Sequence, residues 1–245
     1  VKSDVLTQLQ PKRRLVQEID WDDKVYRELM LPVAEKLRLL RATDDPARRA
    51  LIEDDICQRQ RQATGVAKAP YVAEFVRALL EGGEKVLLMA HHHAVMDIYR
   101  RELKGYRPGF ITGRETDRQK DEAARAFMAG ETDLLCLSLR SASGLNLQRA
   151  SCVVFGELDW SPAVHSQAED RAHRIGQQDS LLCYYLVSPR GSDRDMQDAL
   201  GLKVSQFVAL MGDKTPTQDE TWAQQSEARA HIHALVERLR SAAAM

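Results

Sequence analysis

Two arginines, Arg171 and Arg174, stand three residues apart in the segment QAEDRAHRIGQ at positions 167–177. Side chains with this spacing share one face of a helix, so the two guanidinium groups are expected to lie side by side. Each group is permanently charged and carries a planar fork of donors that fits phosphate oxygens. His173 adds a further polar side chain between them. The segment therefore predicts an anion site, and a solvated basic turn of helix is the structural alternative.

This segment resembles the last helicase motif of the Swi/Snf-type DNA translocases, which belong to the second helicase superfamily. Three other segments resemble motifs of the same family, in the family's order. KVLLMAHHH at 85–93 resembles the fourth motif, SLRSASGLNL at 138–147 the fifth, and VVFGELDWSP at 153–162 the strand and turn that precede the last motif. The segments AHH and QAED, together with LQPKRR at 9–14, most resemble those of the annealing-helicase branch of this family. The resemblance covers roughly residues 66–190.

The resemblance also implies roles for single residues. Arg171 and Arg174 would act as arginine fingers on the γ-phosphate of ATP. The residues nearest the nucleotide would be Gly144, Asn146 and Gln167. The contacts with DNA would come from Ser138, Ser141, Ser143 and Trp160. Hydroxyls and exposed amides can hold a DNA backbone without reading its sequence. Judged from the residue types alone, a polar capping turn for the serines and a core position for the tryptophan remain open.

The chain contains no Gly-rich loop that ends in Lys and Ser or Thr, the element that would hold the β- and γ-phosphates. An acidic pair for magnesium should end an apolar strand, whereas Asp121 and Glu122 fall in a segment that reads as helix. We therefore expect ATP and Mg²⁺ to be held mainly by a missing N-terminal RecA-like lobe. The chain would be the excised second lobe of a DNA-dependent ATPase, inactive alone, with double-stranded or branched DNA as its partner.

The pattern of helices and strands that must position these residues predicts an α/β fold. Short apolar runs alternate with helical segments from position 66 onward, which is typical of a parallel sheet covered by helices on both faces. We predict strands at 85–90, 109–112, 134–138, 152–155 and 182–187, and helices at 71–80, 94–103, 117–128 and 164–173. The fold class is RecA-like. Because ligands of open parallel sheets gather at the carboxyl ends of the strands, we expect the motifs to converge on that edge.

The segments on either side of this region read as helical appendages. The pattern of residues 1–65 predicts helices, with Pro32 kinking or dividing the first and Asp45 capping a second whose first turn holds Pro46. The resemblance implies that these residues are a helical linker or insertion between the motor lobes. Residues 66–190 form the lobe itself, and 191–245 a segment with a terminal brace helix. The apolar stripe of that helix is Ile232, Leu235, Val236 and Leu239.

Composition limits the classes of function. The 245 residues are 44% hydrophobic with a formal net charge of −1, so DNA binding would require a local basic surface. Four widely spaced cysteines predict reduced core thiols, and no apolar run approaches the roughly 20 residues needed to span a membrane. We expect a soluble intracellular protein with no membrane partner, cytoplasmic and nucleoid-associated in a bacterium or nuclear in a eukaryote.

The residue types alone leave two other functions open. The chain could be a regulatory or DNA-binding module that has lost catalysis and uses the former nucleotide cleft to recruit a partner. A metal-dependent hydrolase could be built on His91, His92 and His93, since imidazole is a common metal ligand. Adjacent residues do not easily share one ion, however, and no HxxxH spacing accompanies them. We therefore expect no metal site here and place the three histidines at the end of a strand.

Overall fold

Six parallel strands form the sheet in the computed structural model, which describes residues 12–139, 145–173, 181–200 and 208–209. A two-residue strand pairs antiparallel with the first, and the order across the sheet is β3-β4-β2-β5-β6-β1-β7. In chain order the strands are β1 Lys12–Glu18, β2 Val86–Ala90, β3 Gly109–Ile111, β4 Leu134–Ser138, β5 Cys152–Phe155, β6 Leu181–Val187 and β7 Val208–Ala209. The predicted parallel α/β sheet is confirmed.

Helices connect the strands and cover both faces of the sheet. They are α1 Asp23–Arg41, α2 Pro46–Glu81, α3 His93–Glu102, α4 Asp117–Ala129, α5 Pro162–Glu169 and α6 Asp193–Ala199. As predicted, the Asp45 side chain caps α2 by accepting from the amide of Ala47, and Pro46 occupies the first turn, where its missing N–H costs nothing. A capping box between Thr116 and Gln119 begins α4.

Side chains of the central strands alternate between two apolar cores, because successive residues of a strand point to opposite faces. Leu87 and Met89 of β2 pack into one core with the buried faces of α1, α4 and α5. Val86 and Leu88 pack into the other core with α3 and the second half of α2. Helix α2 contributes to both cores, so it passes from one face of the sheet to the other.

Strand β1 was not predicted, since residues 1–65 were expected to be helical. Its sequence, KRRLVQE, has no continuous apolar run. It pairs along its whole length with β6, from Lys12 beside Leu181 to Glu18 beside Val187. The first described segment is thus part of the sheet, and its residues Lys12 and Arg14 pair with the buried Glu169.

Two prolines, Pro32 and Pro70, lie inside helices. Helix α1 continues through Pro32, and α2 runs for 36 residues through Pro70, where separate helices were expected. Tertiary packing outweighs the local cost of proline here, because the flanking residues of α2 are buried against the sheet. The helix also runs through position 65, so no break in secondary structure marks the expected domain division there, and that division stays a prediction.

The remaining sequence predictions concern the cysteines and the C-terminal segment. All four cysteines are free and buried, as predicted for core thiols, and burial raises the pKa of the Cys57 thiol to about 11. Helix α6 and strand β7 fall within the segment 191–245, whereas the predicted terminal helix lies outside the described residues. No helix in the described part of the chain is long and apolar enough to cross a membrane.

Candidate functional site

Glu169, the last residue of α5, is a buried carboxylate held by two cations of β1. Arg14 donates from Nε and Nη2 to its two oxygens at 2.7 and 2.5 Å, and Nζ of Lys12 lies 3.0 Å from Oε2. The hydroxyl of Tyr185 donates to Oε1 at 2.7 Å. Arg14 also reaches Oγ of Ser166 at 3.3 Å. Charge-assisted hydrogen bonds inside the protein therefore fix α5 to β1.

The electrostatics of this cluster favour an ionised Glu169. Burial by itself raises the pKa of a carboxyl group, but the hydrogen bond and charge of Arg14, with the charge of Lys12, lower the pKa of Glu169 below its usual value. Burial, followed by the charge of Glu169, raises the pKa of the Tyr185 hydroxyl well above its usual value. At neutral pH the cluster therefore holds one carboxylate, two cations and a neutral hydroxyl donor.

The main chain after Glu169 forms the turn that carries Arg171. The amides of Ala172 and His173 donate to the carbonyl oxygen of Glu169 at 3.0 and 2.9 Å. The carbonyl oxygen of Arg171 in turn accepts from the amide of Leu147 at 2.9 Å. This bond joins the last-motif segment to the end of the fifth-motif segment.

The structure places three of the predicted nucleotide-site residues around this turn. Arg171 is half-buried, and its buried Nε has no hydrogen-bond partner among the described residues. Asn146 is exposed and adjoins Leu147, so the hydrogen bond between Leu147 and Arg171 brings it close to the arginine. Gln167 is exposed on α5, four residues before Arg171. Two other predicted residues, Arg174 and Gly144, lie outside the described residues.

The turn with Arg171 does not lie at the carboxyl edge of the sheet, and our expectation of a single edge for all motifs is wrong in this respect. Glu169 and Asp170 both contact Lys12, the first residue of β1, with Nζ at 3.4 Å from the Asp170 carboxylate. Lys12 pairs with Leu181, the first residue of β6. A crossover helix between parallel strands returns the chain from the carboxyl edge to the amino edge, so the end of α5 must lie near the beginnings of the strands.

A second group of polar residues does lie at the carboxyl edge, around Glu157 after β5. One carboxylate oxygen of Glu157 accepts from the amides of His91 and His92 at 2.7 and 2.8 Å, and the other lies 2.6 Å from Nδ1 of His92. Burial would raise the pKa of Glu157, but the hydrogen bonds and charge interaction with His92 lower it. Glu157 therefore ties the loop after β5 to the beginning of α3.

The histidines at 91–93 end a strand and begin a helix, as expected. His92 precedes the first turn of α3, and its ring faces the Glu157 carboxylate. Among the described residues no group of three or more His, Cys, Asp or Glu side chains is arranged to hold a metal ion. The contacts of His92 are those of a residue that fixes a loop.

Helix α2 braces this edge from outside the sheet. Arg61 donates from Nη2 to the carbonyl oxygen of Leu158 at 3.1 Å and lies 3.4 Å from the Asp159 carboxylate. Gly65 faces Glu157 so closely that a Cβ there would meet the carboxyl Cδ at 2.8 Å. The absence of a side chain at Gly65 lets α2 approach the loop after β5.

A second cation of α2 braces the loop after β6. Lys68 is fully buried, and its Nζ donates to the carbonyl oxygen of Leu186 at 2.8 Å and to the Asp193 carboxylate at 2.5 Å. The same carboxylate accepts from the amide of Ser188 at 2.9 Å. Buried charges persist only when they are paired and hydrogen-bonded, and this lysine satisfies both conditions.

Trp160 lies in the core, so its predicted contact with DNA has little exposed surface to support it. Its side chain packs in the core cluster that includes Cys57 of α2, and the residue is 9% exposed. Hydrogen bonds of the neighbouring Asp159 fix the turn that holds Trp160. The Asp159 carboxylate accepts from the amide of Ser161 at 3.0 Å, and the Asp159 amide donates to Nε2 of His165 at 3.3 Å. We interpret Trp160 as the apolar anchor of that turn.

Of the three predicted serine contacts, only Ser138 lies within the described residues. It ends β4 beside Ala90 and is half-buried. Ser141 and Ser143 lie outside the described residues.

Sequence reasoning did not identify four cations that organise the site: Lys12, Arg14, Arg61 and Lys68. A weak signal existed for the first two, since they belong to the LQPKRR segment that resembles the family. For Arg61 and Lys68 the signal is their position within a helix whose neighbouring residues are small, including Ala63, Gly65 and Ala67. Small neighbours allow a helix to approach other backbone closely, which buries long side chains between them.

Comparison with known proteins agrees with this architecture. Residues 68–176 match the family of helicase conserved C-terminal domains. The chain is 38% identical over 179 residues to the Bos taurus SWI/SNF-related matrix-associated actin-dependent regulator of chromatin subfamily A-like protein 1, covering 69% of this chain and 19% of that protein. It is 32% identical over 193 residues to the Mus musculus DNA annealing helicase and endonuclease ZRANB3, covering 77% of this chain and 18% of that protein. The chain thus spans about a fifth of the length of these relatives.

Solved structures share the fold. The C-terminal part of the Fun30 ATPase domain matches with a TM-score of 0.60 at 14% identity, over 93% of this chain and 98% of that one. A Sulfolobus solfataricus SWI2/SNF2 ATPase core in complex with dsDNA matches with a TM-score of 0.66 at 16% identity, over 89% of this chain and 47% of that one. The sheet, the motif order and the matched region together define a RecA-like helicase C-terminal domain. The chain belongs to the Swi/Snf family.

Proposed function

We propose that this chain is the second motor lobe of an ATP-dependent translocase of double-stranded DNA. A first RecA-like lobe would bind ATP, and this lobe would present Arg171 and Arg174 to the γ-phosphate. One observation carries the proposal most directly. The main chain that bears Arg171 is fixed by the buried Glu169 cluster and by the bond to Leu147, while the guanidinium group keeps a buried Nε with no hydrogen-bond partner among the described residues.

The physical basis of the proposed role is charge neutralisation at a fixed position. Phosphoryl transfer is accelerated mainly by positioning and by stabilising the charge on the phosphoryl oxygens. An inserted arginine contributes about 10³ to 10⁵ in rate in characterised GTPases, which corresponds to roughly 4 to 7 kcal/mol. A surface ion pair, at about 0 to 1 kcal/mol, would not have a comparable effect.

Magnesium does not fit the part of this lobe that the structure describes. Asp121 and Glu122 lie within α4 and not at the end of a strand, and no group of three or more His, Cys, Asp or Glu side chains in the described ranges is arranged to hold a metal ion. We therefore assign no step to Mg²⁺ on this chain. That the first lobe holds Mg²⁺ and most of the contacts with ATP remains part of the proposal.

DNA is the proposed partner of the same motor. A solved structure with this fold contains double-stranded DNA, and one relative is named as a DNA annealing helicase. In the proposal, backbone contacts come from Ser138, Ser141 and Ser143, and branched DNA is a candidate substrate. The name of another relative associates it with chromatin, which favours a nuclear location for a eukaryotic parent protein.

The test uses the protein that joins this chain to its first lobe. We expect Arg171→Ala and Arg174→Ala each to reduce DNA-stimulated ATP hydrolysis by about 10³-fold or more without loss of folding. Arg125→Ala is the matched control, because Arg125 is exposed and pairs with Glu131 on the surface. Normal turnover in both finger variants would exclude the assignment and would favour a non-catalytic regulatory or DNA-binding module.

A second measurement tests the half-motor interpretation. The 245-residue chain alone should hydrolyse ATP negligibly and bind it weakly, because the phosphate-binding loop is missing from its sequence. Robust DNA-stimulated hydrolysis by the purified chain would contradict this expectation.

A further inference from the structure

The cluster at Glu169 links the first strand of the sheet to the proposed arginine finger. Lys12 and Arg14 lie on the same face of β1, two residues apart, and both reach the Glu169 carboxylate. Glu169 is separated by 155 positions in sequence from Arg14 but by only two from Arg171. A contact that distant in sequence depends on the complete sheet being formed.

The geometry leaves the carboxylate little freedom. Oε1 of Glu169 accepts from Nε of Arg14 at 2.7 Å and from the Tyr185 hydroxyl at 2.7 Å. Oε2 accepts from Nη2 of Arg14 at 2.5 Å and faces Nζ of Lys12 at 3.0 Å. The bidentate pair fixes orientation as well as distance, because the guanidinium fork is planar.

The backbone of the same residue carries this constraint to the finger. The carbonyl oxygen of Glu169 accepts from the amides of Ala172 and His173, the two residues that directly follow Arg171. The bond from Leu147 to the carbonyl oxygen of Arg171 closes the turn from the other side. A shift of the Glu169 main chain would therefore displace the turn that carries Arg171.

We propose that Arg14, assisted by Lys12, is a positioning residue for the arginine finger Arg171. This inference rests on the proposed function. It assigns to β1 a role in the transition state of ATP hydrolysis, exerted through Glu169 and not by contact with the nucleotide. The expected effect is large, since a displacement of about 1 Å in a catalytic group can cost about 10²-fold in rate.

The experiment compares three substitutions in the protein that contains both lobes. Arg14→Met removes the charge and the fork, Arg14→Lys keeps the charge but loses the fork, and Tyr185→Phe removes one donor while keeping the ring. Arg13→Met is the matched control, because Arg13 is the adjacent residue of β1, exposed on its opposite face. Folding is followed by thermal melting of each variant.

A positioning role predicts a specific pattern of kinetics. We expect Arg14→Met to lower kcat of DNA-stimulated hydrolysis about 30- to 100-fold with KM for ATP changed less than about threefold. Arg14→Lys should recover part of kcat, and Tyr185→Phe should lose about two- to fivefold. Affinity for ADP with aluminium fluoride, a mimic of the transition state, should fall in parallel with kcat, while affinity for ADP stays near that of the unchanged protein.

Several outcomes would overturn the inference. An unchanged kcat in a folded Arg14→Met protein would do so. So would a fall in melting temperature without any loss of affinity for the transition-state mimic. If Arg14→Met does not fold, Arg14→Lys and Tyr185→Phe decide the question by the same readouts. Arg171→Ala separates this failure from that of the proposed function: full activity in Arg171→Ala rejects the finger itself, whereas loss of activity there with normal Arg14 variants rejects only the role of β1.

Discussion

Arg61 and Asp159 form an ion pair inside the protein, with Nη2 of the arginine 3.4 Å from Oδ2 of the aspartate. Their side chains are 4% and 6% exposed. The arginine also donates to the carbonyl oxygen of Leu158, so a single side chain of α2 satisfies both the backbone and the side chain of the loop after β5. Removing the arginine therefore takes a charged partner away from a buried carboxylate, which is costly inside a protein.

Arg61→Met should therefore lower the free energy of unfolding of the chain by about 3 to 5 kcal/mol. Chemical denaturation at constant pH measures this change. Arg59→Met is the control on the same helix, since Arg59 is 41% exposed and pairs with an equally exposed Asp55, and surface pairs contribute about 0 to 1 kcal/mol. Equal losses of unfolding free energy from the two substitutions would show that the buried pair stabilises the chain no more than the exposed pair does.

Gly65→Ala should destabilise the chain even though alanine is the better helix former. The new Cβ would meet Cδ of Glu157 at 2.8 Å and Cγ2 of Val95 at 3.0 Å. Overpacking of this kind costs about 1 to 3 kcal/mol, which exceeds the roughly 1 kcal/mol gained in helix propensity. Denaturation curves test the net sign.

The matched control for Gly65 is Gly105→Ala, because nothing lies within 4 Å of a Cβ built at Gly105. We expect Gly105→Ala to change the free energy of unfolding of the chain by less than about 0.5 kcal/mol. A stabilised Gly65→Ala protein would mean that α2 can shift away from Glu157 without cost.

His165 should make the chain less stable in mild acid. Its pKa is lowered, first by burial, although the hydrogen bond to the carbonyl oxygen of Ser161 and the charges of Asp159 and Glu169 act in the opposite direction. A histidine with a lowered folded-state pKa binds its proton more readily in the unfolded chain. The stability it provides is therefore present above the unfolded pKa of about 6.5 and is lost as the pH falls below that value.

We expect His165→Gln to flatten this dependence between about pH 6.5 and 5, at a cost of about 1 to 3 kcal/mol at pH 7.5 for the altered hydrogen bonds. The free energy of unfolding measured across the pH range gives both quantities. His93→Gln is the control, because His93 is exposed. A pH profile for His165→Gln that parallels that of the unchanged chain would count against this explanation.

The apolar runs of the sequence were sufficient to predict the central strands and their order of appearance. Leu134–Ser138 and Cys152–Phe155 begin and end where predicted. Such runs are informative because a strand buried on both faces must be continuously apolar. The N-cap of α2 was predictable for a similar local reason, since Asp45 and Pro46 act within one turn.

Only the tertiary structure decided the roles of the charged residues. The sequence does not reveal that Arg14 meets Glu169, that Arg61 meets Asp159, or that β1 is a strand at all, because each depends on partners about 100 or more positions away. The same holds for the position of Arg171 near the amino edge, which follows from the direction of α5 across the sheet. Strands and helix caps depend on neighbouring residues, so they can be predicted from the sequence. The burial and pairing of a charge depend on the whole sheet.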